Sequence, residues 1–115
     1  LRGHPHYTAL LTVDLDALCP IWRVKPAPKS FNQPVHSMIR TLVLAGQLDP
    51  ITPPTQGRAV AKALPRSTLV EFPGLGHGVV FAHPCAVSVF QTFLTNTGPK
   101  VDTACVAAMP GPAWR

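Results

Sequence analysis

The order of apolar segments in this chain predicts an α/β fold built on a βαβα unit, with two parallel strands and helices lying on them. Three observations carry that expectation. Thr41-Leu42-Val43-Leu44-Ala45 is a short unbroken apolar run closed by Gly46, the pattern of a strand buried on both faces. Thr68-Leu69-Val70-Glu71-Phe72 is a second run of strand formers, and each run is followed by a segment whose apolar residues recur at helical spacing. A strand, a helix and a second strand in that order require a crossover, so the strands pair in parallel. With only two such strands, the sheet is expected to be incomplete.

Taken from the start, residues 7–18 mix helix formers with Thr and Val and are read as a helix, although neither period fits them cleanly. Residues 24–34 hold Pro26, Pro28 and Pro34, which excludes a helix or a central strand and marks a surface linker. Residues 1–34 are therefore a helical segment plus linker, and 35–115 the main region. After the first strand, Thr52 is placed to cap a helix whose first turn tolerates Pro53 and Pro54, because amides there lack intrahelical partners. Val60 and Leu64 then share its inner face, Arg58 and Lys62 lie opposite, and Pro65 stops it. The second strand runs into Pro73-Gly74-Leu75-Gly76-His77-Gly78. A helix over 84–94 follows, with Ala86, Val89, Phe90, Phe93 and Leu94 as its apolar stripe. The tail after Thr95 is rich in Pro and Gly.

Composition narrows the function. The 115 residues are 46% hydrophobic, which allows one small core, and a chain of this size buries only about two thirds of its unfolded surface. No apolar stretch approaches the roughly 18 residues of a membrane span. The start, Leu1-Arg2-Gly3-His4-Pro5, has neither an initiator Met nor the pattern of a signal peptide, which suggests an excerpt of a longer protein. The net charge of +5 comes from scattered basic residues; only Arg23, Lys25 and Lys29 cluster, in the proline-rich stretch without interleaved aromatics, so neither nucleic acid nor membrane is an expected partner. Cys19, Cys85 and Cys105 lack zinc-ligand spacing, and His4-Pro5-His6 has no thiol nearby; no metal and no cofactor are expected. Three cysteines imply one disulfide with a thiol left over, or a partner cysteine elsewhere.

In open parallel sheets, reactive groups gather in the loops beyond the carboxyl ends of the strands. Asp49 follows the first strand closely, and His77 sits in the glycine-rich loop after the second, so both are delivered to one edge. A carboxylate there would bind one imidazole nitrogen, fix the tautomer and stabilise the imidazolium formed when the other nitrogen takes a proton. Asp49 taken alone is more often a turn or helix-entry residue and a lone His between glycines, like His77, more often a loop residue, while Gly74, Gly76 and Gly78 are as readily turn glycines. His36 and His83 are read as surface or packing residues.

The string from Arg40 to Pro53, Arg-Thr-Leu-Val-Leu-Ala-Gly-Gln-Leu-Asp-Pro-Ile-Thr-Pro, resembles the acid-bearing strand and loop of α/β-hydrolases, and Leu75-Gly76-His77-Gly78 resembles their histidine loop. Cys19-Pro20-Ile21-Trp22, His83-Pro84-Cys85 and Asp102-Thr103-Ala104-Cys105, in that order, are similar to the C-terminal region of tripeptidyl-aminopeptidase-like (TAP-like) and proline-iminopeptidase-like hydrolases. The resemblance spans about Cys19 to Cys105 and implies the C-terminal part of an α/β-hydrolase fold, with Asp49 as triad acid and His77 as general base. It implies a serine peptidase acting near the amino terminus of a peptide substrate, secreted or in the cell envelope. No Gly-x-Ser-x-Gly elbow surrounds Ser30, Ser37, Ser67 or Ser88, and the oxyanion loops are missing, so the chain alone is expected to be inactive and its partner to be the N-terminal part of such an enzyme. The other reading is a complete, non-catalytic association module whose exposed sheet edge pairs with another chain or with itself. A disulfide between Cys85 and Cys105 is expected, with Cys19 unpaired; it would tie the tail to the last helix, be worth on the order of 3 kcal/mol, and imply an oxidising compartment.

Overall fold

The computed structural model describes residues 15–23 and 25–112. Two units divide the chain, Leu1–Gln33 and Pro34–Arg115. In the first lie helix α1, Leu15–Trp22, and a turn of 3-10 helix, Lys29–Asn32. α1 continues past the expected end at residue 18, taking in Pro20, and Arg23 at φ 51 turns the chain out of it. Residues 7–14 of the expected helix lie outside the described residues, as does the side chain of Cys19. Pro28 sits at φ −61, ψ 152, the extended geometry that a proline-rich linker imposes.

The second unit runs β1 (Thr41–Gly46), α2 (Pro54–Ala63), β2 (Ser67–Phe72), α3 (Val79–Ala82), α4 (Pro84–Thr95) and α5 (Ala104–Ala107). Among the described residues the sheet has two strands, β1 and β2, paired in parallel from Thr41 opposite Ser67 to Gly46 opposite Phe72. This is the βαβα unit and the incomplete α/β sheet that the sequence predicts.

Alternation along each strand divides the side chains between two faces. On one, Val70 and Phe72 join Val79, Cys85, Ala86 and Val89 in the core, with Leu42, Leu44, Leu75, Val101, Val106 and Met109 packed around them. On the other lies α2, pressed close. A Cβ on Gly57 would stand 3.4 Å from both the Ala45 Cβ and Leu69 Cδ1 and 3.6 Å from Val43 Cγ1, an ordinary van der Waals fit. Gly57 therefore faces the sheet directly. The expected inner residue Val60 is instead 48% exposed, and the i, i+4, i+7 row that faces the sheet, Gly57, Ala61 and Leu64, is half-covered. Arg58 locks the same helix to β2 through a two-pronged pair with Glu71, Nε to Oε1 at 2.6 Å and Nη2 to Oε2 at 2.7 Å.

Two further expectations are corrected. β1 is fully buried only at Ala45 and Gly46, with Thr41 to Leu44 half-covered, since a two-stranded sheet leaves one flank without a neighbour. For the same reason the α4 stripe is only half used: Ala86 and Val89 are buried, but Phe90 and Leu94 are 40% and 61% exposed. The N-terminus of α4 is capped by the His83 ring, whose Nδ1 accepts the Cys85 N–H at 3.1 Å, so His83 packs and His36 is a surface residue. Cys85 and Cys105 form a disulfide, holding the tail against the core.

Candidate functional site

Because Gly46 and Phe72 are register partners, β1 and β2 end side by side and release their loops at one edge. Those loops are stitched together before any reactive group is considered. The Gln47 N–H donates to Phe72 O at 3.0 Å, the Leu48 N–H to Leu75 O at 2.9 Å, and the Gly74 N–H to Gln47 Oε1 at 3.0 Å. The contact is close enough that only glycine fits at position 46: a Cβ there would collide with the carbonyl oxygen of Gly76 and lie 2.6 Å from that of Leu75.

Asp49 is buried, 7% exposed, and its carboxylate is saturated with donors. Pro50 has no N–H and fixes its own φ, so the chain folds back and aims the next two amides at the aspartate, an Asx turn. Oδ1 accepts the Ile51 N–H at 2.8 Å and the Thr52 N–H at 2.9 Å. Oδ2 accepts the Thr52 hydroxyl at 2.7 Å and lies 3.0 Å from His77 Nδ1. Burial pushes the Asp49 pKa up, but the Thr52 hydroxyl and amide, His77 and the Ile51 amide together outweigh it and hold the carboxyl well below its ordinary range. Asp49 is thus a fixed anion at any neutral pH.

His77 reaches that anion from a loop shaped by two left-handed glycines, Gly74 at φ 68 and Gly78 at φ 76, the second leading directly into α3. Its side chain is 53% exposed. It borders an open depression of about 230 Å³ lined by Leu44, Asp49, Thr52, Val80 and Phe81 among others. With Nδ1 held by a carboxylate, the neutral ring carries its proton there and presents the Nε2 lone pair, which is the arrangement a general base needs. Sequence reasoning picked both residues, and the structure brings them together.

It did not pick Thr52. Read as the cap of α2, Thr52 makes no cap hydrogen bond; Pro53 holds the N-cap position, and the Thr52 hydroxyl turns towards Asp49 and lies 3.4 Å from His77 Nδ1. The signal was the Asp-x-x-Thr spacing, which competes with the helix for the same hydroxyl. Gln47 was likewise missed, as nothing local distinguishes a loop-bridging amide from a solvated one. Among the described residues no serine lines the depression; the Ser67 hydroxyl donates to Ala61 O at 3.0 Å, and Ser37 Oγ accepts the Ile39 N–H at 3.1 Å. Nor do the described residues gather three potential metal-ligating side chains in one place.

The model of the family described as TAP-like protein matches residues 7–105. No curated protein and no solved structure matches the chain.

Proposed function

The chain belongs to the TAP-like family of α/β-hydrolases, and from that premise we propose that Asp49 and His77 are the acid and general base of a serine-hydrolase triad whose nucleophile is supplied from outside these 115 residues. The observation that carries the reading is the 3.0 Å approach of His77 Nδ1 to the buried, ionised Asp49, at the carboxyl edge of two parallel strands. In the reaction, a serine hydroxyl attacks an amide carbonyl as His77 Nε2 takes its proton. Asp49 Oδ2 stabilises the imidazolium through Nδ1–H, and Nε2 then gives the proton to the departing amine. Water, activated the same way, releases the acyl group.

The substrate is a peptide cleaved near its amino terminus, in keeping with the family resemblance, and the enzyme works in an oxidising, extracellular or envelope setting, which the Cys85–Cys105 disulfide supports. The remainder of the hydrolase packs against β1, whose outer flank has no partner among the described residues and borders a groove of about 500 Å³ lined by Leu42, Leu44, Val80, Phe90 and Phe93.

The test is the ring state of His77, read by long-range proton–nitrogen NMR on the 115-residue chain. The expected neutral form carries its proton on Nδ1. In Asp49→Asn the amide oxygen takes over the two backbone donors, its NH2 faces the ring, and the proton moves to Nε2. A wild-type ring protonated on Nε2, or a tautomer indifferent to the substitution, would overturn the assignment.

A further inference from the structure

We propose that Thr52 is a positioning residue of the Asp49–His77 pair, its hydroxyl holding Asp49 Oδ2 in place while offering His77 Nδ1 nothing but an acceptor. The inference rests on the triad reading above and adds a third side chain to it.

The direction of each hydrogen bond follows from what the groups can do. An ionised carboxylate only accepts, so at 2.7 Å the Thr52 hydroxyl must donate its single proton to Oδ2. Its lone pairs are then the only feature it can turn to His77 Nδ1, 3.4 Å away. Both neighbours of Nδ1, the Asp49 oxygen at 3.0 Å and the Thr52 oxygen at 3.4 Å, are therefore acceptors, and Nδ1 must be the protonated nitrogen. Were the hydroxyl free to swing round and donate to Nδ1, the ring would take its proton on Nε2 and lose the lone pair on which the chemistry depends. Asp49 is the group that prevents this, by engaging that proton first.

Thr52 also decides where the carboxylate points. Of the four donors around Asp49, one comes from Ile51 and two from Thr52, so three belong to its own turn and the carboxylate is oriented before His77 approaches. The two amides grip Oδ1 alone. The hydroxyl is what holds Oδ2, the oxygen facing the ring, and without it the carboxylate can rock about the Oδ1 anchor. The hydroxyl makes no cap bond to α2, so that helix does not account for it. When the imidazolium forms, the same oxygen gives Nδ1–H a second acceptor, with no rearrangement at that moment.

The experiment compares Thr52→Val, which keeps the branched shape and removes the hydroxyl, with Thr52→Ser, which keeps the hydroxyl and removes the methyl. Measured on the folded 115-residue chain, Thr52→Val should exchange the His77 Nδ1 proton with solvent about tenfold faster, because a carboxylate that has lost its charge-assisted hydrogen bond to the hydroxyl holds Nδ1–H less constantly, while Asp49 keeps the ring protonated on Nδ1. Thr52→Ser should exchange at the wild-type rate. If the valine variant does not fold, Thr52→Ala against Thr52→Ser asks the same question. An unchanged exchange rate in the variant lacking the hydroxyl overturns the proposal, as does equal disturbance by serine, which would assign the effect to the methyl group. A wild-type ring already protonated on Nε2 would instead refute the triad reading itself, so the two failures are distinct.

Discussion

Gly46, the last residue of β1, and Gly57, which lies on α2 against that strand, should respond to alanine with opposite signs. At Gly46 an added Cβ meets carbonyl oxygens, 2.6 Å from Leu75 O and closer still to Gly76 O, and both belong to backbone that cannot rotate away. The histidine loop must retreat, and Leu75 O is also the acceptor of the Leu48 N–H at 2.9 Å. Overpacking of this kind costs about 1 to 3 kcal/mol and a lost hydrogen bond about 1, against roughly 0.5 to 1 regained from a less flexible unfolded chain. The net for Gly46→Ala is a destabilisation of about 1 to 3.5 kcal/mol, or on the order of 10 °C in Tm for a unit of this size. At Gly57 the added Cβ meets side chains of Ala45, Leu69 and Val43 at 3.4 to 3.6 Å, so the methyl fits and the helix interior gains about 0.5 to 1 kcal/mol. Thermal unfolding by far-ultraviolet circular dichroism, with the disulfide intact, reads both. A Gly46→Ala variant as stable as wild type, or a Gly57→Ala variant that loses as much, would refute the steric reasoning.

The stability of the chain should fall as pH drops below about 4, because the unfolded Asp49 and Glu71 carboxyls protonate near their ordinary values while the folded ones, held low, still resist; the contribution is complete above the unfolded pKa and is lost towards the folded one. Urea midpoints at pH 6 and pH 3 should converge in Asp49→Asn and Glu71→Gln relative to wild type, and equal acid sensitivity in all three would count against the assignment. Cys105→Ser should cost about 3 kcal/mol, the closure of a loop with a sequence separation of 20, and should free Val101, Val106 and Met109 from the core; urea unfolding that shows no loss would mean that the tail is held by packing alone. The isolated chain should not react with a fluorophosphonate probe, since none of its serines sits in a Gly-x-Ser-x-Gly elbow and Ser37, Ser67 and Ser88 do not line the depression beside His77, and stoichiometric labelling of any serine would contradict the missing nucleophile.

Much of this protein can be read from local sequence. Short apolar runs with turn residues between them mark β1 and β2, because their length and the residues that bound them are written in the chain itself. Their parallel pairing follows from the helix between them, and with it the convergence of Asp49 and His77. What the sequence could not decide is how close things come and which of two bonds a group chooses. Thr52 had a helix to cap and a carboxylate to satisfy, and only the turn made by Asp49 and Pro50, which brings the carboxylate within 2.7 Å, settled the choice. Gly46 and Gly57 look alike in a string of letters; one lies against backbone oxygens and the other against side chains. The apolar stripe of α4 was legible, but how much of it is buried depends on the area the sheet offers, and two strands cover Val89 while leaving Leu94 exposed. Periodicity is a property of the chain, whereas distance, burial and the partner a hydroxyl selects arise only when separate segments compete for the same space.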